Sequence, residues 1–313
     1  QAIDNQVKSH LLSLAGIYFG LFLVGGWIIY WILHRVIIGP LRSLQQAVHE
    51  IEQNADLAMR VEVKGRDEIG SLGDNIRFLR NEIRNDPILQ KLAGCPRRHH
   101  TVSSHTRWAS VGAINEANCH PLDARTMRHP EGLQGPMHVC LNGDIDNFMA
   151  LKTAFETGGD QIQEAISTDT KIIPLQISQH LSQGHDLVEA FRRAVNDFEG
   201  SHAISMHTAL APGKLFLAQR GSGQAIFIGL ARDHYMPTSE VYGFIEHTQR
   251  YLKMDGEKIV EGRQGPTQGQ IFILDQNTVG GCGGIQAMYY DGTPLELNQT
   301  DIKQTEITSR DID

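Results

Sequence analysis

Residues 137–147 read MHVCLNGDIDN, and this stretch decides how the longer part of the chain folds. Its first seven residues form a short, mostly apolar run, which predicts a β-strand. The run ends in Asn142-Gly143, a pair that most often marks a turn. The sequence therefore predicts a buried strand that stops abruptly.

Similar short runs continue from about residue 100 onward, separated by Gly, Pro and Asn. Two stretches with helical periodicity interrupt them, and the second has an apolar face. We predict an α+β domain without internal repeats. The runs are HAISMHTAL (202–210), KLFLAQRGSGQAIFIGL (214–230) and GQIFILD (269–275), and the helical stretches are TKIIPLQISQHLSQ (170–183) and DLVEAFRRAVNDF (186–198).

The composition is that of an ordinary folded protein. The chain has 313 residues, of which 41% are hydrophobic and 20% charged, with a formal net charge of −8. This charge gives no reason to expect nucleic acid as a partner. The four cysteines form no CxxC pair, which argues against a zinc ribbon. We expect neither a metal site nor a cofactor.

Residues 11–33, LLSLAGIYFGLFLVGGWIIYWIL, carry no charge. A transmembrane helix needs about 20 apolar residues, and aromatic residues crowd the end of this segment as they do at a membrane interface. A signal peptide is the alternative, but a small-residue cleavage site does not follow. We expect a single-pass inner-membrane protein. Residues 1–10 then end an extracytoplasmic segment, and Arg35 and Arg42 favour a cytoplasmic C-terminal side.

Residues 36–83 contain two heptad seams separated by a broken connector. Pro40 lies just past the predicted span, and DEIG (67–70) begins the second seam. This order resembles the HAMP domain of chemoreceptors and sensor kinases, which implies a coiled-coil homodimer. An ordinary amphipathic hairpin is the alternative. The seams are Leu41, Leu44, Val48 and Ile51, then Ile69, Leu72, Ile76, Leu79 and Ile83.

Beyond a junction at 84–100, residues 101–313 contain seven motifs in the order found in class II glutamine amidotransferases. They most resemble the glutaminase half of glutamine:fructose-6-phosphate aminotransferase, also called glucosamine-6-phosphate synthase. The resemblance implies an N-terminal-nucleophile fold of αββα layers. The motifs are HTRWA (105–109), NEANCHP (115–121), LNGDIDN (141–147), STDTK (167–171), EAFRRAV (189–195), EGSHAI (199–204) and RGSGQAIFIGL (220–230).

The resemblance also implies a role for each residue of a glutamine pocket. Arg107 binds the α-carboxylate of glutamine, because a guanidinium fork suits a carboxylate. Asp169 pairs with the α-ammonium group, Trp108 forms a wall, and His120 supports the pocket. The side chain of Asn142 and the backbone N–H of the next residue, Gly143, form an oxyanion hole.

Each of these residues has an ordinary structural interpretation as well. An Arg-Trp pair is often cation–π packing, and an Asn-Gly pair is often a hairpin turn. An Asp before Thr and Lys is often a helix N-cap. The occurrence of the seven motifs in this order, rather than any one residue, favours the pocket.

The resemblance places the nucleophile on a cysteine at the first position of the mature chain, whose own α-amine acts as general base. Gln1 stands first here, so we expect an incomplete, truncated domain without hydrolytic activity. Cys95 is followed by Pro96 where the family has Gly. The sequence context of Cys119 and Cys140 predicts packing residues, and Cys282 in GGCGG is expected to be exposed.

Three hypotheses about function follow. The chain is a glutaminase-type domain, inactive as written, whose relatives transfer ammonia from glutamine to a sugar phosphate. Alternatively, it is a membrane signalling protein whose pocket binds glutamine without hydrolysing it. The seam stops near Ile83 and Pro87 follows soon after, which favours a third hypothesis, that two unrelated fragments were joined. A single transcript across codons 75 to 110 distinguishes a genuine fusion from such a joining.

Overall fold

The structure is a computed structural model. It describes residues 27, 30, 31, 34, 78, 81–95, 101–106, 110–259, 268–278 and 280–307.

Several predictions concern residues outside these ranges. They include Arg107 and Trp108, most of the HAMP-like segment 36–83 and most of the predicted span 11–33. No helix among the described residues is both long and apolar enough to cross a membrane. The membrane span therefore stays a prediction.

The chain divides into two compact units, with the described residues up to Cys95 in the first and those from Thr101 to Ile307 in the second. In the first unit, residues 81–85 are helical and helix α1 spans Pro87–Ala93. The two helical pieces are joined through Asp86. Its N–H donates to the Glu82 carbonyl at 2.9 Å, and its side chain caps α1.

The proline at the start of α1 has no N–H to donate to the carbonyl four residues before it, that of Ile83. The Gln90 side chain fills this role, since its Nε2 donates to the Ile83 carbonyl at 2.9 Å. The helix is therefore interrupted at Asp86, whose backbone is extended with ψ 109°, and the heptad phase does not continue into α1. The next seam positions after Ile83 are polar, and Ile88 and Leu92 are exposed elsewhere on the helix.

The second unit contains a six-stranded antiparallel sheet in the order β1-β2-β3-β4-β8-β9. The predicted run 137–143 is strand β2, so the strand prediction is confirmed. The strands are β1 (Leu122–Asp123), β2 (Met137–Gly143), β3 (His202–Thr208), β4 (Lys214–Arg220), β8 (Gln270–Asp275) and β9 (Ile285–Tyr289).

A second antiparallel sheet has the order β10-β7-β5-β6. Strand β6 is at its edge, and Pro237 in that strand lacks the N–H that a further strand needs for full pairing. The strands are β5 (Phe227–Leu230), β6 (Tyr235–Thr238), β7 (Arg250–Lys253) and β10 (Lys303–Gln304).

Three helices follow the first strands of the larger sheet: α2 (Phe148–Thr157), α3 (Ile172–Ser182) and α4 (Leu187–Asp197). The two predicted helical stretches are confirmed as α3 and α4. Helix α2 was not predicted.

The alternation of strand residues builds two cores on opposite faces of the larger sheet. On one face, β-strand residues such as Ile204 and Phe216 pack with Phe191 of α4. On the other, Leu217 and Phe272 pack with residues of the smaller sheet. The predicted combination of helices and antiparallel sheets in one domain is confirmed. Whereas αββα layers were predicted, α2, α3 and α4 all contribute to the first core, so the described residues form an αββ arrangement.

Helix α4 begins with a charged cluster centred on Glu189. The Glu189 carboxylate accepts hydrogen bonds from Arg192 Nε and Nη2, both at 2.7 Å, and from Arg193 Nε at 2.6 Å. The hydrogen bonds from Arg192 have the largest effect, and together with those from Arg193 they lower the pKa of Glu189 from its ordinary value of 4.5 to about 2.

The substitution Glu189→Gln tests this cluster. Because the folded-state pKa lies below the unfolded value, the carboxylate stabilises the fold above pH 4.5. That contribution is lost as the pH falls toward 2. We expect Glu189→Gln to lower the free energy of unfolding by about 0.5–1 kcal/mol at pH 7. The difference from wild type should shrink steadily in denaturant titrations below pH 4.5. Glu246→Gln, at an exposed position, is the control, and a pH-independent difference contradicts the assignment.

The end of β2 depends on a glycine. Gly143 has φ +103°, and a Cβ there would lie 2.2 Å from the Ser201 carbonyl oxygen. Both the left-handed conformation and the close backbone approach therefore exclude a side chain.

We expect Gly143→Ala to lower the free energy of unfolding by more than the 1–2 kcal/mol or so that a positive φ costs alanine. Gly184→Ala is the matched control, since Gly184 has φ +88° and open space around it. Thermal denaturation of both variants separates the contact from the dihedral angle. Equal losses in the two would show that the approach to Ser201 is unimportant.

Candidate functional site

A cavity of about 470 Å³ opens at the end of β2. Both sheets contribute to its walls, together with the segment before β1 and a 3-10 helix at Asp169–Lys171. The lining residues are Ser104, His105, Thr106, Ser110, Val111, His120, Cys140, Leu141, Asn142, Gly143, Asp144, Thr168, Asp169, Thr170, Ala203, Ile204, Ser205, Leu217, Gln224, Ala225, Ile226, Pro237, Thr238 and Ser239.

Four of the six predicted pocket residues line this one cavity: His120, Asn142, Gly143 and Asp169. Asn142 and Gly143 are the last two residues of β2, and they pair with the first two residues of β3. Asn142 is exposed, in contrast to the buried residues that precede it in the strand. The end of β2 therefore places the Asn142 side-chain amide and the Gly143 backbone at the same corner of the cavity.

Asp169 is buried, with 3% of its surface exposed. Its Oδ2 accepts a hydrogen bond from the Ile145 N–H at 2.9 Å, and its Oδ1 accepts one from the Thr168 hydroxyl at 3.2 Å. Burial raises the pKa of Asp169, and the nearby charge of Asp144 adds to this. Burial makes ionisation of this carboxyl group unfavourable. A cation bound in the cavity would therefore stabilise its charged form.

Asp169 is held in place by two buried polar residues. Asn118 Oδ1 accepts hydrogen bonds from the N–H groups of Ser167 and Thr168, at 2.8 and 3.1 Å. Lys171 donates from Nζ to the backbone and side-chain oxygens of Asp123, at 2.8 and 3.2 Å. These bonds fix both ends of the short helix that carries Asp169.

His120 forms part of the cavity wall. Its Nδ1 accepts from the Leu141 N–H at 3.5 Å, and its Nε2 lies 2.8 Å from the Thr170 hydroxyl. If Nδ1 accepts, a neutral ring carries its proton on Nε2 and donates to Thr170. The ring also lies 4.4 Å from that of His105, centroid to centroid. His120 thus connects β2 with the Asp169 helix.

Arg107 and Trp108 lie outside the described residues, but Thr106 and Ser110 on either side of them line the cavity. The Ser110 hydroxyl donates to the Asp144 carboxylate, which attaches this segment to the residue after β2.

All four cysteines are described and free, and only Cys140 lines the cavity. Its Sγ lies 3.4 Å from the Ser103 hydroxyl. Burial raises the pKa of the Cys140 thiol, which outweighs the hydrogen bonds from Ser103 and Ser205. Packing was predicted for Cys140 and Cys119. Cys140 is buried as expected, but Cys119 is exposed after a short 3-10 helix, so that prediction was wrong.

Among the residues described, no three His, Cys, Asp or Glu side chains are placed to hold a metal ion. Sequence reasoning missed Gln224, whose side chain packs against Gly143. It is part of the RGSGQAIFIGL motif, but nothing in that motif distinguishes a lining residue from a turn residue.

Comparison with known proteins supports both halves of the sequence interpretation. Residues 32–85 match the HAMP domain family, which confirms the predicted HAMP resemblance. The second part is similar to enzymes named glutamine–fructose-6-phosphate aminotransferase (isomerizing). That of Thermococcus kodakarensis is 28% identical over 199 residues, covering 63% of this chain and 31% of the enzyme.

Two further relatives carry the same enzyme name. The protein of Sulfolobus acidocaldarius is 29% identical over 76% of this chain and 36% of its own length. That of Methanosarcina acetivorans is 34% identical over 46% of this chain and 23% of its own length. The chain thus spans about a third of the length of the relatives it matches.

Among solved structures, the glutamine phosphoribosylpyrophosphate amidotransferase of B. subtilis, complexed with ADP and GMP, is similar with a TM-score of 0.43 and 20% identity. The similarity covers 59% of this chain and 34% of that one. From the sequence comparisons, the chain contains a HAMP domain and a region homologous to the glutaminase domain of glutamine–fructose-6-phosphate aminotransferase.

Proposed function

We propose that the cavity at the end of β2 binds L-glutamine and does not hydrolyse it. The observation that carries this proposal is the convergence of His120, Asn142, Gly143 and Asp169 on one cavity. These residues come from three separate parts of the sequence, and the motif resemblance implies the same ligand for all of them.

The two charged residues that the resemblance implies for the pocket suit the two ends of an amino acid. The buried Asp169 carboxylate pairs with the α-ammonium group, and the Arg107 guanidinium binds the α-carboxylate. The amide of Asn142 and the backbone N–H of Gly143 then face the side-chain carbonyl of glutamine. Such donors stabilise an oxyanion when a nucleophile is present, and otherwise simply bind the carbonyl oxygen.

The chemistry of the Cys140 thiol supports the proposed absence of turnover. Hydrolysis by a cysteine needs a thiolate, or a base that produces one. Cys140 is the cysteine in the cavity, and its partners are the hydroxyls of Ser103 and Ser205, which are not bases. Its raised pKa keeps the thiol protonated at neutral pH. We therefore propose that the glutaminase-like cavity only binds glutamine, and that this chain does not carry out the aminotransferase reaction of its relatives.

We further propose that the chain is a membrane signalling protein in which the HAMP domain follows the predicted span at 11–33. In this proposal the chain crosses the inner membrane once and dimerises through its HAMP helices, with the glutamine cavity in the cytoplasm. The HAMP match at residues 32–85 begins at the end of the apolar segment and supports this order.

The binding proposal is tested by calorimetric titration of the detergent-solubilised full chain with L-glutamine. We expect saturable binding that Arg107→Ala and Asp169→Asn each weaken by at least about 10-fold, because each removes one partner of a desolvated charge pair. Asp233→Asn is the matched control, since the Asp233 side chain is 84% exposed and outside the cavity. A wild-type chain that binds no glutamine contradicts the proposal, and ammonia release above the uncatalysed rate contradicts the absence of turnover.

Binding should also depend on pH through Asp169. Only the carboxylate form attracts the α-ammonium group, and burial raises the pKa of Asp169 above its ordinary value. Glutamine affinity should therefore fall as the pH decreases toward that raised pKa, earlier than for an ordinary aspartate. In titrations between pH 8 and 5, Asp169→Asn should remove this dependence. A wild-type profile with the same slope as the variant would assign the pH effect to another group.

A further inference from the structure

Gln224 occupies a position in the cavity to which the glutaminase resemblance assigns no role. It lies in the loop between β4 and β5, is half-buried and lines the same cavity as Asn142. Its Cδ lies 3.0 Å from the point that a Cβ on Gly143 would occupy. The Gln224 amide therefore packs directly against the backbone of Gly143.

The side chain of Gln219 holds the backbone of the loop that carries Gln224. Gln219 in β4 is buried, and its Nε2 donates to the Gln224 carbonyl at 3.0 Å. The Oε1 of the same side chain accepts from the Ile226 N–H at 2.9 Å. One buried amide thus holds the backbone on both sides of Ala225, which fixes where the Gln224 side chain starts.

The Gln224 amide has its oxygen toward Ser201, whose hydroxyl also lies 3.3 Å from the Arg220 carbonyl oxygen. The Ser201 hydroxyl donates to Gln224 Oε1 at 2.9 Å. The amide nitrogen Nε2 points away from the oxygen that accepts from Ser201. In this orientation Nε2 is the polar group available to a ligand. Among the described residues, Nε2 has no hydrogen-bond partner. Ser201 is also the residue whose carbonyl lies against Gly143, so one residue positions both groups.

We propose that Gln224 Nε2 donates a hydrogen bond to the side-chain carbonyl oxygen of bound glutamine, as a further donor beside Asn142 and Gly143. Gln224 is then a specificity-determining residue that recognises the carboxamide end of the ligand. This inference rests on the proposed glutamine binding and extends it.

The experiment combines affinity with a direct observation of the amide. Gln224→Leu keeps the approximate volume and removes the donor, and it should weaken glutamine binding about 5-fold, the value of one hydrogen bond. Gln224→Glu replaces the donor by an acceptor and should weaken it further. Gln286→Leu and Gln286→Glu are the matched controls, because Gln286 is exposed on β9 and outside this cavity.

The direct observation is the side-chain ¹⁵N–¹H₂ resonance of Gln224 in the full chain labelled at its glutamine residues, assigned by its loss in Gln224→Leu. Saturation with L-glutamine should shift one proton of this amide strongly downfield, and should leave the Gln286 amide unchanged. A purely structural role for Gln224 predicts weaker binding without that shift.

The outcomes are distinct. Unchanged affinity in Gln224→Leu, or a Gln224 amide that shifts no more than that of Gln286, overturns the role of Gln224 while glutamine binding by the wild type stands. If the wild type does not bind glutamine, both this inference and the proposed function are wrong.

Discussion

The contact between the backbone of Gly143 and the carbonyl of Ser201 is the constraint on which the candidate site depends. It brings the end of β2 against the residue that precedes β3, so the Asn142 amide and the Gly143 backbone share one corner of the cavity. The next residue continues the contact, since the Asp144 N–H donates to the same Ser201 carbonyl at 3.1 Å. Any side chain at Gly143 would separate these elements.

A second constraint fixes the opposite wall. Asn118 and Lys171 are almost fully buried polar residues, and both use their hydrogen-bonding groups on neighbouring loops and strands. A buried polar group is tolerated only when it is bonded, so such residues specify one arrangement of the chain. Here that arrangement places Asp169 in the cavity wall. A cation bound in the cavity would then favour the ionised form of the Asp169 carboxyl group.

The sequence predicts best where the signal is local. Strand β2 and helix α4 follow from the apolar pattern of adjacent residues, and both occur within one residue of the predicted runs. Helix α2 also has a helical pattern, with Phe148, Leu151 and Phe155 three and four residues apart, but it is short and has no N-cap side chain. Its packing against the core, rather than its local pattern, accounts for its formation.

The site could be predicted only in part, because its contacts join distant residues. The motif resemblance identified His120, Asn142, Gly143 and Asp169, which the fold brings together. It could not identify Gln224, since the contacts with Ser201 and Gly143 depend on how three strands meet. Cys119 was misassigned for a related reason. Its apolar character predicts burial, but the turn in which it lies is at the surface.

We propose that this cavity binds glutamine in one defined orientation. A crystal structure of the chain grown with saturating L-glutamine tests it most directly. We expect electron density in the cavity, with the α-ammonium group within hydrogen-bonding distance of Asp169 and the side-chain carbonyl beside the Gly143 N–H. An empty cavity, or a ligand whose α-ammonium group lies at the Gly143 corner, would contradict it.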